Sequence, residues 1–388
     1  MYHRFYDKTV VQRRECLEFE NMQTLAGPLT DETTVLDTMS ENVIGAWRMP
    51  LGVLTSICID GREHRLLMAT EEPSVVAAAN RASTLINLAG GAFAAVDKPV
   101  TRAQIMLLCE ENRFEWFKSE VLSQQSRYLS IANEGHPHLN ANGGGAFALD
   151  VSMVCDDRIA MRDGRKAVFA VIWLSVHTAD AMGANLVNAM AEAVMRNIVE
   201  AYHEYVEPGM AILTNDGSGR LASAEVHIPH DILSERARCD GNNLARRIEM
   251  ASVFAEKSPE RAITHNKGIL NGMIACALPL GQDTRALGAA AFDWACRSGR
   301  HLPLCRWWNN RDQLIGKIEI PVVVGFAGAF RAFSPVSEAF KFDGIESYHE
   351  LCGVLASVGL AQNLAALWAL VTTGIQAGHM KLHARKMG

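Results

Sequence analysis

The sequence lacks several patterns by which common protein classes are recognised. Its 37 Lys and Arg residues are outnumbered by 43 Asp and Glu residues, for a formal net charge of −6, so the chain has no broad positive field for a nucleic-acid backbone. Its nine cysteines are odd in number, scattered and never spaced C-x-x-C, which is typical of reduced cytosolic thiols rather than disulfides or a zinc site. We expect small-molecule ligands, a cytoplasmic location and no nucleic-acid partner.

The sequence also shows no export signal and no membrane anchor. Residues 1–8 are charged too early to hold the apolar segment of a secretory signal. The longest apolar stretch, residues 355–371, is interrupted by Gln362 and Asn363 and is shorter than the roughly 20 residues that a membrane span needs. We interpret it as a buried helix and expect no membrane partner.

Length and local patterning predict two domains. At 388 residues, 49% of them hydrophobic, the chain can bury more than one core. Between residues 100 and 217 the predicted order is β-α-β-β-α-β, the split βαβ or ferredoxin-like arrangement, and both flanks are rich in turn-forming residues. We predict an α+β fold in which this small domain, residues 100–217, interrupts a large α-rich domain formed by residues 1–99 and 218–388.

The individual elements are predicted from hydrophobic periodicity and turn residues. Inside the predicted insert they are strands at 103–109, 146–155, 167–176 and 210–215, and helices at 113–130 and 184–205. Outside it they are a helical arm over residues 1–40, strands at 53–59 and 315–324, and helices at 73–90, 244–254, 283–296 and 351–383.

Familiar cofactor and metal motifs do not occur. No G-x-G-x-x-G follows a predicted strand, and the glycines at 143–145 form an isolated triple turn, so a dinucleotide fold of the usual kind is not predicted. There is no P-loop motif and no H-E-x-x-H. His379 and His383 are four residues apart on a predicted helix, but no third ligand accompanies them, and we predict no metal site.

Polar residues at predicted helix starts are better candidates. Glu71 and Glu72 open an apolar helix, where capping is the simpler interpretation. Lys267 follows a strand-like run and is predicted to be buried at a helix start, where it would need an anion. Asp283 also stands at a helix start, again with capping as the alternative. The segment from Asp180 to Asn185 predicts a strand ending in Asp, then Gly, then free helix amides, which is an arrangement for binding a pyrophosphate.

Eight short strings resemble, in order, the bacterial or class II family of 3-hydroxy-3-methylglutaryl-CoA (HMG-CoA) reductases. They are E-N-V-I-G (41–45), E-E-P-S-V-V-A-A-A (71–79), D-A-M-G-A-N (180–185), M-A-E-A-V (190–194), T-H-N-K-G-I (264–269), D-T-R-A (283–286), V-G-L-A-Q-N (358–363) and G-H-M-K-L-H-A-R (378–385). The resemblance covers residues 40–388. It implies an inserted ferredoxin-like cofactor domain and an obligate dimer with active sites between subunits. It also implies reduction of HMG-CoA to mevalonate and CoA by two hydride transfers from NADH or NADPH, or the reverse reaction.

The resemblance also implies roles for individual residues. Glu72 would supply a proton during carbonyl reduction, and Lys267 would stabilise the oxyanion. Asp283 would be joined to both, and His379 would protonate the departing thiolate. The implied cofactor contacts are Asp180, Met182, Gly183, Ala184 and Asn185. The implied contacts of the acyl or pantetheine part are Ser74, Asn215, Arg261, Asn271, Gln362, Asn363 and Ala366, with Arg261 binding the free carboxylate.

Departures from the family pattern leave alternatives open. Phe330 and Arg331 stand in a block where relatives carry Gly-Gly-Ala-Thr-Lys, so the same chemistry on another acyl thioester is a second hypothesis. Residues 146–148 replace the Cys-Arg-Asp of NAD-preferring members, so NADH and NADPH both stay open. Phe5-Tyr6 replaces the Phe-Arg that contacts CoA. Relatives continue past position 388 into a mobile flap, which is expected to be absent here, and a non-catalytic homologue is therefore a third hypothesis.

Overall fold

The computed structural model describes residues 4–328, 331 and 333–374, and the chain divides into two compact units, Met1–Leu51 and Gly52–Gly388. The first unit contains three short helices, α1 (Val10–Cys16), α2 (Met22–Ala26) and α3 (Asp31–Asp37). Thr9 begins α1 with a capping box, because its hydroxyl accepts from the Gln12 amide and the Gln12 side chain accepts from the Thr9 amide. The helical arm predicted for residues 1–40 is thus confirmed.

The second unit mixes helices and strands, as predicted. Its strands are β1 (Leu51–Ile59), β2 (Arg62–Ala69), β3 (Phe93–Val96), β4 (Val100–Glu110), β5 (Gly145–Val154), β6 (Ala167–His177), β7 (Val206–Leu213), β8 (Leu221–Pro229), β9 (Cys305–Asn310) and β10 (Gln313–Pro321). Its helices are α4 (Val75–Leu88), α5 (Phe114–Ser123), α6 (Gln125–Asn133), α7 (Pro137–Ala141), α8 (Ala184–Tyr202), α9 (His230–Ala237), α10 (Gly241–Lys257), α11 (Pro259–Ala277), α12 (Thr284–Cys296), α13 (Ser334–Asp343) and α14 (Tyr348–Val371).

One antiparallel sheet has the order β5-β6-β4-β7. Residues of β4 alternate between buried and half-buried along the whole strand, and α8 lays Val187, Met190 and Val194 into the same core. The helix predicted for residues 113–130 is two helices. The chain leaves the helix at Gln124, whose side-chain amide donates to the Tyr202 hydroxyl of α8 at 2.8 Å.

A second antiparallel sheet, of order β3-β8-β10-β9, lies against α14. Helix α14 is long and apolar enough to cross a membrane, with a mean hydropathy of 1.8, but 78% of that window is buried inside the fold. The buried helix predicted from the sequence is therefore confirmed. The predicted end near residue 383 is not: Thr372 is non-helical, and the segment 375–388, with His379 and His383, lies outside the described residues.

Helix α11 corrects another prediction. The strand-like run expected before Lys267 is helical, because Ser258 caps a helix that begins at Pro259, with the Ser258 hydroxyl accepting from the Arg261 amide at 3.2 Å. Lys267 therefore lies in the middle of α11, not at a helix start. The separately predicted helix at 244–254 is α10, which ends at Lys257.

All nine cysteine thiols are free, as their spacing predicted. Cys109, Cys276, Cys305 and Cys352 are buried, and burial raises the pKa of the Cys109 thiol to about 11. These thiols pack as small apolar side chains.

Candidate active site

A cavity of about 340 Å³ opens between the start of α4, the middle of α11 and the second half of α14. Eight of the residues that the sequence predicted for catalysis or substrate binding line it. They are Glu72, Ser74, Arg261, Lys267, Asn271, Gln362, Asn363 and Ala366. Residues distant in sequence thus meet in a single pocket.

An ion pair stands in this pocket. The ammonium nitrogen Nζ of Lys267 lies 3.0 Å from Oε2 of Glu72, and the two side chains are 60% and 38% exposed. The prediction that Lys267 is buried was wrong, because this position of α11 faces the open cavity. Capping does not account for Glu72: α4 has no side-chain cap, and the carboxylate is turned to Lys267. A cation beside a proton-carrying group is an arrangement that can stabilise and then protonate an oxyanion.

Three residues that line the cavity carry buried polar atoms with no hydrogen-bond partner within the described part of the chain. These atoms are Oγ of Ser74, both ring nitrogens of His265 and Oε1 of Gln362. Ser74 also has a left-handed backbone, with φ of 79°, which is costly for a residue with a side chain. Because unsatisfied buried polar atoms cost free energy, these side chains would gain hydrogen bonds by turning toward a polar ligand in the cavity.

His265 was not predicted from the sequence. It is 2% exposed, and burial, together with the nearby Arg261 cation, lowers its pKa to about 3. The imidazole is therefore neutral at physiological pH. Burial also lowers the pKa of Arg261, which remains a cation. Two sequence signals mark His265: it stands in the T-H-N-K-G-I string, and it follows Arg261 by four residues, which places both on one face of a helix.

Helices α11 and α14 approach closely beside the cavity. A Cβ on Gly272 would lie 2.9 Å from Cβ of Gln362, so a glycine is required where these helices touch. Asn363, also buried, accepts a hydrogen bond from the indole nitrogen of Trp307 at 2.9 Å. This bond from Trp307 of β9 fixes the orientation of the Asn363 side chain.

Asp283 and Asn215 do not line this cavity. Asp283 caps α12, where its Oδ1 accepts from the Arg285 and Ala286 amides at 3.0 and 3.1 Å. Among the described residues no hydrogen bond joins it to Glu72 or Lys267. Asn215 is exposed in the loop after β7. His379 lies outside the described residues.

Three of the predicted cofactor residues, Asp180, Met182 and Gly183, lie in the turn between β6 and α8, and the other two, Ala184 and Asn185, open α8. The predicted strand end at Asp180 is corrected, since β6 ends at His177. Gly183 has φ of 88°, and a Cβ there would lie 2.5 Å from Cγ2 of Thr178, so this position needs glycine. Helix α8 then begins without a side-chain cap or an acid in its first turn. Its free amides suit an anion such as a pyrophosphate, which is the group expected here.

The same turn packs against α12. The carbonyl of Asp180 accepts from the Phe326 and Ala327 amides at 2.7 and 2.9 Å. Met182 packs on a small apolar cluster that includes Ala286, three residues beyond Asp283. Asp283 and the cofactor turn are therefore neighbours, on elements that do not line the cavity of Lys267.

An aromatic stack borders the turn. The ring of Phe147 lies 4.3 Å from that of His177, with 17° between their planes. His177 is the last residue of β6, and Ala148 pairs with Ser175 across a bulge in β5. As the sequence indicated, residues 146–148 bring no carboxylate to this edge. The stack was not predicted.

The chain matches the family model described as hydroxymethylglutaryl-coenzyme A reductase over residues 9–384. It belongs to this family. The 3-hydroxy-3-methylglutaryl-coenzyme A reductase of Archaeoglobus fulgidus is 37% identical over 360 residues, covering 91% of this chain and 77% of the relative. A probable 3-hydroxy-3-methylglutaryl-coenzyme A reductase of Borreliella burgdorferi is 34% identical over 354 residues, covering 91% and 78%.

Solved structures of reductases agree over nearly the whole chain. The 3-hydroxy-3-methylglutaryl-coenzyme A reductase of Streptococcus pneumoniae superposes with a TM-score of 0.81 at 34% identity, covering 95% of this chain and 98% of that one. A class II reductase structure from the same organism, bound to NADPH in open conformations, gives a TM-score of 0.81 at 33% identity, covering 96% and 100%. The class II resemblance read from the sequence is confirmed.

One departure from the reductase family pattern is visible. Arg331 lies over the Phe326 ring, 3.9 Å from its centroid, and donates to the Phe326 carbonyl at 3.3 Å. It is thereby anchored to its own loop. Phe330, the other substituted position, lies outside the described residues.

Proposed function

We propose that this chain reduces HMG-CoA to mevalonate and CoA, or catalyses the reverse oxidation, with NADH or NADPH. The observation that carries the proposal is the cavity in which the Lys267–Glu72 pair stands beside three side chains with orphaned polar atoms. Such a cavity suits an acyl thioester that bears both a carboxylate and a hydroxyl group. Family membership supports the same activity.

The acyl group would be held by the walls of the cavity. Arg261, half-buried in α11, would bind the free carboxylate, since a guanidinium matches a carboxylate in shape and charge. Ser74 and His265 would satisfy their orphaned atoms on the acyl oxygens. Asn271, Gln362, Asn363 and Ala366 would contact the rest of the acyl and pantetheine portion.

Lys267 and Glu72 would perform the central chemistry. The cofactor, when bound, would supply the hydride that reduces the carbonyl carbon, and negative charge would then develop on the carbonyl oxygen. The Lys267 ammonium would stabilise that charge, more strongly as water leaves the cavity. Glu72 would deliver the proton. His379 would protonate the CoA thiolate when it departs.

We further propose that the site is completed in a homodimer, or a higher homo-oligomer. The residues fall into two half-sites: the acyl cavity, and the turn of Asp180, Met182, Gly183, Ala184 and Asn185 with Asp283 beside it. Asn215, in the loop after β7, would contact the acyl-CoA from the second half-site. Because the elements of the second half-site do not line the cavity, a second copy is a direct way to bring the two together.

We assign the domains as predicted, with residues 100–217 as an inserted ferredoxin-like cofactor domain within a large domain of residues 1–99 and 218–388. The sheet order β5-β6-β4-β7, with helices between β4 and β5 and between β6 and β7, supports this. The ends of the segment are adjacent, since the Val100 amide donates to the Gly219 carbonyl at 2.8 Å.

The test is an assay of purified protein with HMG-CoA and each nucleotide, followed by the absorbance of the reduced nicotinamide. We expect oxidation of two nucleotides per thioester and release of mevalonate and free thiol. Turnover of a related acyl thioester but not of HMG-CoA would replace the substrate while keeping the chemistry. The absence of nicotinamide binding in calorimetry would overturn the proposal in favour of a non-catalytic homologue.

A further inference from the structure

Arg220 is a buried arginine that pairs with no acid. It is 1% exposed, and no carboxylate of the described residues lies within ion-pair distance of its guanidinium. Burial lowers its pKa, yet an arginine keeps its charge in a protein. Burying an uncompensated cation is costly, so its surroundings should explain why it is there.

Three of the five hydrogen bonds that the guanidinium donates go to the turn between β6 and α8. Nη2 donates to the carbonyls of Ala181 and Met182 at 3.0 and 2.7 Å and to the Thr178 hydroxyl. The other nitrogens anchor it on the opposite side, with Nε donating to Thr101 Oγ1 at 2.9 Å and Nη1 to the Val324 carbonyl at 3.0 Å. One side chain thus fixes three groups of the turn to the body of the fold.

These bonds determine which way the backbone amides point. In a trans peptide the carbonyl and the following N–H point in opposite directions. Arg220 draws the Ala181 and Met182 carbonyls inward, so the amides of Met182 and Gly183 are turned away from it. The Met182 amide faces Ala327, to which Ala181 is bridged, whereas the Gly183 amide adds to the free amides in the first turn of α8. Successive amides of this kind form an anion-binding concavity.

We infer that Arg220 is a positioning residue for the nicotinamide cofactor, shaping the turn 180–185 so that its amides bind the pyrophosphate, with its own charge adding to the attraction. This inference rests on the proposed cofactor role of that turn. Bound pyrophosphate would in return supply the negative charge that Arg220 lacks within the chain.

The test compares Arg220→Met and Arg220→Lys with the wild-type protein. Calorimetry measures the Kd for NADPH and for HMG-CoA, and steady-state assays measure kcat and both KM values. For Arg220→Met we expect the Kd and KM for NADPH to rise by about tenfold or more, while the Kd for HMG-CoA and kcat at saturation change less than about threefold. Arg220→Lys keeps the positive charge but loses the forked set of guanidinium donors, so its Kd for NADPH should lie between those of the wild type and Arg220→Met.

Leu107→Ala is the matched control, since it removes a fully buried side chain from β4 without touching the turn. It should lower thermal stability and leave the Kd for NADPH unchanged. If Arg220→Met does not fold, Thr178→Val takes its place. Valine has nearly the same shape as threonine, so this variant removes only the hydroxyl that accepts from Arg220 and keeps the buried packing. Equal losses of NADPH and HMG-CoA affinity, or an unchanged Kd for NADPH, would overturn the inference.

A further variant separates this inference from the proposed function. Asn185→Asp places a negative charge in the first turn of α8 and should weaken NADPH binding if the cofactor lies there. If Asn185→Asp binds NADPH as the wild type does, the cofactor site itself is misassigned. If Asn185→Asp weakens binding while the Arg220 variants do not, only the role of Arg220 falls.

Discussion

Lys267 and Glu72 are 195 residues apart in the sequence, yet Nζ of Lys267 lies 3.0 Å from Oε2 of Glu72. Both side chains remain open to solvent in the cavity, at 60% and 38% exposure. Exposed ion pairs contribute little to stability, typically about 0–1 kcal/mol. The pair is therefore better explained by what it can do to a ligand than by what it adds to the fold.

Lys267→Ala should abolish most of the activity without unfolding the protein. Removal of a group that stabilises an oxyanion costs on the order of 10²–10³ in kcat, whereas loss of the exposed pair should shift stability by less than about 1 kcal/mol. Initial rates and thermal melting check the two effects. Lys317→Ala is the control, because Lys317 is a half-exposed lysine that pairs with Glu225 at 3.6 Å away from the cavity. Equal loss of rate in both variants would contradict the assignment.

Glu72→Gln should keep the shape of the pocket and remove its proton donor. We expect kcat to fall by about 10²–10⁴, with the KM for HMG-CoA nearly unchanged, measured by steady-state kinetics. The adjacent Glu71→Gln makes the same chemical change on an exposed side chain and should retain activity. A fully active Glu72→Gln would assign proton delivery to another group.

Ala148→Asp should shift nucleotide preference toward NADH. Residue 148 lies at the edge of the sheet beside the Phe147–His177 stack, and a carboxylate there would repel the 2′-phosphate of NADPH. The ratio of kcat/KM for NADH to that for NADPH is the measurement. Ala148→Asn, of the same size without charge, should leave this ratio near the wild-type value, and an unchanged ratio in Ala148→Asp would refute the reasoning.

His265→Gln should reduce the sensitivity of the fold to acid. Because the pKa of His265 is lowered from 6.5 to about 3, the unfolded chain binds a proton there below pH 6.5 and the folded chain does not. Keeping His265 neutral therefore costs no stability above pH 6.5. As the pH falls from 6.5 toward 3, the free energy of unfolding drops by about 5 kcal/mol in all because of this group.

The measurement is the free energy of unfolding in denaturant at pH 7 and at pH 4.5. The difference between wild type and His265→Gln isolates this side chain from the other titrating groups. The free energy of unfolding of His265→Gln should rise relative to that of the wild type as the pH falls. Parallel pH profiles for the wild type and His265→Gln would contradict the prediction.

The order of elements between residues 100 and 217 could be predicted because local patterns determine it. Strand β4 alternates buried and half-buried residues through its whole length, so its two-residue hydrophobic period can be recognised in the sequence. Strand β8 alternates in the same way, so Leu221–Pro229 carries a strand signal too, although no strand was predicted there. Strand ends differ from prediction by a few residues because pairing partners, not propensity, decide them.

The surroundings of Lys267 could not be predicted as well. Thr264 and Gly268 weaken the helical pattern locally, and the stronger signal, Ser258 followed by Pro259, lies farther upstream. The pairing with Glu72 depends on how α4 and α11 pack, which no local pattern contains. The resemblance supplied residue types and their roles, while only the structure supplied the orphaned atoms of His265. Capping by Asp283 was already the alternative that its position at a helix start offered, and the structure shows it.

The pairing of β3 with β8 has a consequence for how the chain folds. Phe93–Val96 pairs with residues 222–225, so closing this ladder across an unstructured segment would cost about 4 kcal/mol of chain entropy. Once residues 100–219 are folded, the hydrogen bond from the Val100 amide to the Gly219 carbonyl at 2.8 Å holds the two ends of this segment together, so that the segment acts as a short loop between β3 and β8. Early folding of residues 100–219 would therefore accelerate formation of the sheet of order β3-β8-β10-β9.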